Sequence, residues 1–179
     1  EVELNPQGTL AERIRASGTE LGPPLRELFA SQLFYSAPAY RCGVKSPAEF
    51  AAGAVRALGV APEGATLGES LAAMGQSLFD PPSVKGWDGG LTWIHTATWI
   101  ARARFAETVA GSKGALAAFE ENREPRACVD RALDRLLQGD APPEARARLT
   151  AAMEKRGCDD ASLRALLRAV LLLPEYHAA

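Results

Sequence analysis

The chain has 179 residues, 47 % of them hydrophobic and 23 % charged, enough for one sizeable globular domain or a domain with a small appendage. Its formal net charge is −2, which gives no electrostatic case for a nucleic-acid partner. No run of about 18 apolar residues occurs, so no transmembrane span is expected. With three cysteines, two histidines 82 positions apart (95 and 177) and no CxxC pair, neither a tetrahedral zinc site nor covalent haem is expected. The first residue is Glu1 rather than methionine, so the chain is expected to be a processed protein or a piece of a longer one.

Almost every segment has helical periodicity. In "TLAERIRASG", Thr9 is the expected N-cap, with Glu12 three residues on and Gly18 as the stop. "GPPLRELFASQLFYS" opens on prolines, and Leu25, Leu28, Phe29, Leu33 and Phe34 form its expected apolar stripe. "SPAEFAAGAVRALG" is the best-punctuated helix, with Ser46 as N-cap, Pro47 at N1, Glu49 closing a capping box and Gly59 at the exit. "TLGESLAAMGQSLF" repeats the device with Thr66 and Glu69, and Leu67, Leu71, Met74 and Leu78 follow at helical spacing.

An irregular loop over 79–90 follows, and then "LTWIHTATWIARARFAETVAG", expected to be one long helix. Gly111, Ser112, Gly114 and "EENRE" mark a weak stretch and an expected subdomain boundary. The last third contains three more helices. Val129, Ala132, Leu133, Leu136 and Leu137 line the first, Leu149, Ala152 and Met153 the second, and Leu163, Leu166, Leu167, Val170 and Leu171 the third. Nothing alternates with the two-residue period of a strand. The expected fold is all-α: an irregular multi-helix bundle carrying a rigid Pro/Gly/Trp loop. Its expected parts are a helical region over 1–110 and a C-terminal subdomain over 125–179 packed on it, together one domain.

The blocks "VKSPAEFAAGAVRALG", "MGQSLFDPPSVKGW", "GGLTWIHTATWIARARFA" and "LLLPEY", in this order and spacing, resemble a bacterial family known as domain of unknown function 1800, over roughly residues 20 to 177. The chain looks like the C-terminal portion of the family's longer members. It departs from the family pattern at Asp88, usually proline, and at His95, usually asparagine. The resemblance implies a mostly helical, exported protein, and so a periplasmic or secreted location. It supplies no catalytic residue to carry over.

The loop "LFDPPSVKGWDGG" holds the candidate site residues. The prolines stiffen it and the glycines allow close backbone approach. The favoured reading is structural, with Trp87 plugging the core and Asp80 or Asp88 capping a neighbouring turn. The alternative is a ligand-facing rim of Asp80, Lys85, Trp87, Asp88 and Trp93, with His95 as a base if a carboxylate reaches it. Asp80 and Asp88 are the only carboxylate pair placed for glycoside chemistry, and their pattern is too loose to assign it. Arg126, Asp130, Arg131, Asp134 and Arg135 are expected to form a solvated face of mixed charge.

Helices 126–138 and 143–156 are joined by "GDAPP" and should run antiparallel. That brings Cys128 near Cys158, and in an oxidising compartment the two are expected to form a disulfide that leaves Cys42 over. No cofactor or metal site and no catalytic residue is expected. The leading expectation is a non-catalytic helical subunit, or protein-interaction module, of an exported assembly, partnered by other proteins of that envelope complex. The alternatives are an envelope hydrolase with its site at the 80–95 loop and a scaffold subunit of a membrane redox complex.

Overall fold

The computed structural model describes residues 3–5, 8–18, 20–62 and 64–179. Contacts divide the chain into two units, Glu1–Cys42 and Gly43–Ala179. The fold is all-α apart from a short antiparallel ribbon, β1 (Glu3–Asn5) with β2 (Gly8–Thr9), at its start.

The first unit adds α1 (Leu10–Ala16) and α2 (Gly22–Ala30) to this ribbon. Thr9 caps α1 in a full capping box with Glu12, as its sequence requires. Arg13 of α1 pairs with Glu27 of α2 at 3.3 Å. The expected stripe on α2 is not buried. The helix ends at Ala30, before Leu33, and Leu25, Phe29, Leu33 and Phe34 are exposed while Pro24 is the buried residue. Phe34 stacks edge-on with both Phe29 and Tyr35, which shelters rings locally without making a core.

The second unit contains α3 (Pro47–Leu58), α4 (Gly64–Ala73), a 3₁₀ turn (Gly90–Trp93), α5 (Thr96–Gly111), a second 3₁₀ turn (Ala117–Phe119), α6 (Pro125–Leu137), α7 (Pro143–Arg156), α8 (Asp160–Leu171) and α9 (Pro174–His177). α5 packs chiefly on α8, and α6 on α7, α8 and α3. The segment 111–124, expected to mark a boundary, therefore lies inside this unit, with its Ala115, Leu116 and Phe119 in the core.

α3 has the ends its sequence dictates. The Ser46 hydroxyl accepts from the Glu49 N–H, the Glu49 carboxylate accepts from the Ser46 N–H, and Gly59 closes the helix at φ 66°. Phe50, Ala54 and Leu58 are buried along one face. The apolar stripes of α6 and α8 are buried at every expected position. On α7 Met153 is buried, whereas Ala152 faces solvent and Ala145 takes an inner position. α4 begins at Gly64, so Thr66 lies inside the helix and does not cap it; the Ser70 hydroxyl donates to the Thr66 carbonyl.

The mixed-charge face of α6 is more occupied than expected. Arg131 donates to the Ala118 carbonyl at 2.8 Å, Arg135 to the Ala57 carbonyl, and Asp130 pairs with Arg146 of α7. Arg126, Asp134 and Arg135 stay exposed as expected, while the half-buried Asp130 and Arg131 tie α6 to its neighbours.

Candidate functional site

The 78–95 loop begins where α4 stops. The chain turns at Gly75 (φ 95°), and the Gln76 N–H donates back to the Leu71 carbonyl while the Gly75 N–H donates to Ala72, which satisfies orphan carbonyls of the helix end. The Gln76 side-chain oxygen accepts from the Ala48 N–H in the first turn of α3 at 2.9 Å, so the root of the loop is tied to a second helix. Beyond it, the Asp80 N–H donates to the Ser77 carbonyl and the Gly86 N–H to Ser83. Lys85 pairs with Asp88 at 2.6 Å on the exposed surface, which contributes little to stability.

The tryptophan that is buried is Trp93. It is 8 % exposed, whereas Trp87 is half-buried, and both lie outside the main core cluster. Gly75 and Gly89 are called for by their left-handed backbone (φ 95° and 73°), and a Cβ at either would meet the Trp93 ring only at ordinary contact distance, 4.0 and 3.9 Å. The long helix expected from residue 91 is broken. Gly90–Trp93 is a 3₁₀ turn, Ile94 is extended, and His95 is the N-cap of α5 rather than part of its first turns. The Thr98 hydroxyl produces the break by accepting from the His95 N–H at 3.0 Å while also lying 3.0 Å from the Trp93 carbonyl.

Asp80, Lys85, Asp88 and His95 are all exposed. Apart from the Lys85–Asp88 pair, no side-chain bond joins them among the described residues, so the structure does not assemble an acid–base constellation from them. The grooves between α4 and α5, α5 and α8, and α6 and α7 are lined by other residues. The loop instead displays apolar side chains. Val84 and Leu91 project into solvent, and Phe79 is 99 % exposed with its backbone at φ 64°. A left-handed backbone costs a residue with a side chain roughly 1–2 kcal/mol, and a fully exposed ring gains no packing that would offset it.

A second constellation has no counterpart in the sequence reading. Arg102, on the inner face of α5, is completely buried. Its Nη2 donates to the Lys45 carbonyl at 2.7 Å, its Nη1 lies 3.2 Å from His177 Nδ1, and the guanidinium sits over the Phe50 ring at 4.9 Å. Because arginine only donates, Nδ1 of His177 must accept, and the ring proton belongs on Nε2. The imidazole is stacked on Phe50 at 5.0 Å and lies against Trp99 at 4.6 Å. Lys45 Nζ donates to the Tyr176 carbonyl at 2.8 Å and lies over the Tyr176 ring, whose hydroxyl donates to the Phe50 carbonyl. The last residues also pair with the entrance to α3, with Val44 opposite Ala178 and Gly43 exchanging both backbone bonds with Ala179.

Burial lowers the pKa of His177 to about 4, with the Arg102 and Lys45 charges adding to it, and burial lowers Arg102 to about 10. Burial raises the Tyr176 phenol. His177 is thus neutral near pH 7, but its one lone pair is already engaged by Arg102. The cluster is a bolt that fastens the C-terminus to α3 and α5, not a general base. Among the described residues no group of three His, Cys, Asp or Glu side chains could hold a metal ion, and no helix is long and apolar enough to cross a membrane.

A helical bundle with a bolted C-terminus and one stiff, solvent-facing loop is the class of protein these observations define. The chain belongs to the DUF1800 family, described as proteins of unknown function, whose family model matches residues 6–178. Comparison with curated proteins and with solved structures finds no match.

Proposed function

We propose that this chain is a non-catalytic interaction module of an exported bacterial assembly, and that it contacts another protein of that assembly through the 78–91 loop. The observation that carries the reading is Phe79, wholly exposed at a strained left-handed backbone position. Strain held at a surface position where nothing packs is the mark of a residue kept for contact rather than folding. Val84 and Leu91 extend the apolar surface on the same loop, and the Lys85–Asp88 pair supplies a polar rim. Aromatic anchors surrounded by polar groups are the usual energetic centre of a protein–protein contact. The exported location and bacterial setting rest on the family resemblance.

The test is a photo-crosslinking amino acid placed at Phe79, and in parallel at Arg148 on the exposed side of α7, in the producing cell. A discrete crosslinked protein from position 79, diminished by Leu91→Asp, is the expected result. Crosslinks from position 148 alone would overturn the loop assignment. The hydrolase alternative requires Asp80, Lys85 and His95 to converge, and no observation favours it.

A further inference from the structure

We propose that Cys128 and Cys158 are the two halves of a disulfide, with Cys158 as the thiol that meets the oxidant and Cys128 as the thiol that resolves it. The proposal goes beyond the loop reading and does not depend on it. Cys128 lies in the first turn of α6 and is fully buried, with its thiol 3.6 Å from the Asn122 carbonyl. Cys158 lies between Gly157, which ends α7, and Asp159, which caps α8. It is half-buried and packed on the same core. Packing of α6 against α7 brings the first turn of α6 beside the exit of α7, and the segment before α6 ties both cysteines there: Arg123 donates to the Cys158 carbonyl at 3.3 Å and pairs with Asp160 at 2.7 Å, and the adjacent Asn122 carbonyl accepts from the Cys128 thiol. Cys42 is exposed and belongs to the other unit.

The different surroundings of the two sulfurs set the order of events. Burial, and then the neighbouring Cys158 sulfur, push the Cys128 thiol up to about 11, and no bulk reagent reaches it directly. Cys158 is open to a disulfide reagent such as oxidised glutathione. Its thiolate attacks one sulfur of that reagent, forming a mixed disulfide and expelling the first glutathione thiolate. Cys128 then attacks the Cys158 sulfur, expelling the second glutathione. Two protein thiols are oxidised, one glutathione disulfide is reduced to two thiols, and the two protons released pass to the leaving thiolates. Holding both cysteines at one end of the α6–α7 pair compensates for the poor ionisation of Cys128 in this second step, because the attack is intramolecular. The bond closes the α6–α7 hairpin onto the start of α8 and restricts the unfolded chain.

The test uses the full chain carrying Cys42→Ser, incubated with oxidised glutathione and followed by mass spectrometry. The expected product is two hydrogens lighter, unfolds at a higher denaturant concentration than the reduced form, and reverts on reduction. Adding Cys128→Ala should halt the reaction at a mixed disulfide on Cys158, whereas adding Cys158→Ala should leave Cys128 unmodified. A brief maleimide pulse on the folded, reduced Cys42→Ser protein should label Cys158 before Cys128, which tests the order without altering the core. Persistence of two free thiols in the oxidising buffer would overturn the bridge. Labelling of Cys128 first, or glutathione addition to Cys128 when Cys158 is absent, would overturn the order.

Discussion

Arg102 is a charged side chain fully inside a helical core, and among the described residues no carboxylate pairs with it. What holds it there is geometry: two acceptors, the Lys45 carbonyl and His177 Nδ1, at the reach of a planar fork, and the Phe50 ring beneath. Lysine has the charge but not the fork. Arg102→Lys should therefore destabilise by about 2–4 kcal/mol, since one buried acceptor and a poorly placed charge are left behind. A denaturation midpoint within error of the wild type would show that the fork is dispensable. His177 supplies a pH signature of the same bolt. Its folded pKa is about 4 against an ordinary 6.5, so the unfolded chain takes up the proton first. The contribution is complete above pH 6.5 and is lost as the pH falls from 6.5 toward 4, reaching at most about 3 kcal/mol. Urea titrations across that window should show the decline in the wild type and a flatter profile in His177→Gln. Equal slopes would mean that the imidazole is not held neutral.

At the scale of an element, two helical glycines separate propensity from packing. Gly68 lies on an exposed part of α4, and a Cβ there would meet nothing within 4 Å. Gly68→Ala should stabilise by about 0.5–1 kcal/mol, the ordinary helix preference of alanine. Gly53 of α3 has the same intrinsic preference, but its Cβ would stand 3.1 Å from the buried Tyr176 hydroxyl that donates to the Phe50 carbonyl. That ring is enclosed and cannot retreat freely, so Gly53→Ala should lose the propensity gain and end about 1 kcal/mol or more destabilised. Thermal melts of the two variants should move in opposite directions. A shift of both upward would mean that α9 can slide away from α3 at little cost.

For the whole molecule, the core cluster runs from Phe50 to Tyr176 and contains no described residue of the first unit. Removing residues 1–42 should leave a chain that still unfolds in one cooperative transition, because the burial that drives folding is retained. Deleting residues 174–179 should instead abolish or greatly broaden the transition. It removes Tyr176 and His177, frees the buried Arg102, and strips the Gly43–Lys45 segment of its backbone partner. Circular-dichroism melts of both truncations decide the matter. A sharp transition for the C-terminal deletion would show that the bolt is an accessory.

The sequence by itself determined the features that depend on neighbours in the chain. Ser46, Pro47, Glu49 and Gly59 define a helix whatever surrounds it, and the stripes of α6 and α8 follow from periodicity alone. The proline- and glycine-rich loop and the family membership were legible for the same reason. Only the tertiary structure decided which side chains on those elements are inside. Trp87 and Trp93 are equally apolar, and only the three-dimensional path of the loop buries Trp93 and leaves Trp87 half-exposed. The break at His95 depends on one hydroxyl, that of Thr98, which composition could not distinguish from an ordinary helical threonine. The stripe of α2 has the right spacing yet stays exposed, since periodicity specifies a face and not a partner. Nothing in the sequence sets Arg102 apart from the other arginines. Its partners Lys45 and His177 are distant along the chain, and a contact between residues so far apart leaves no periodic trace.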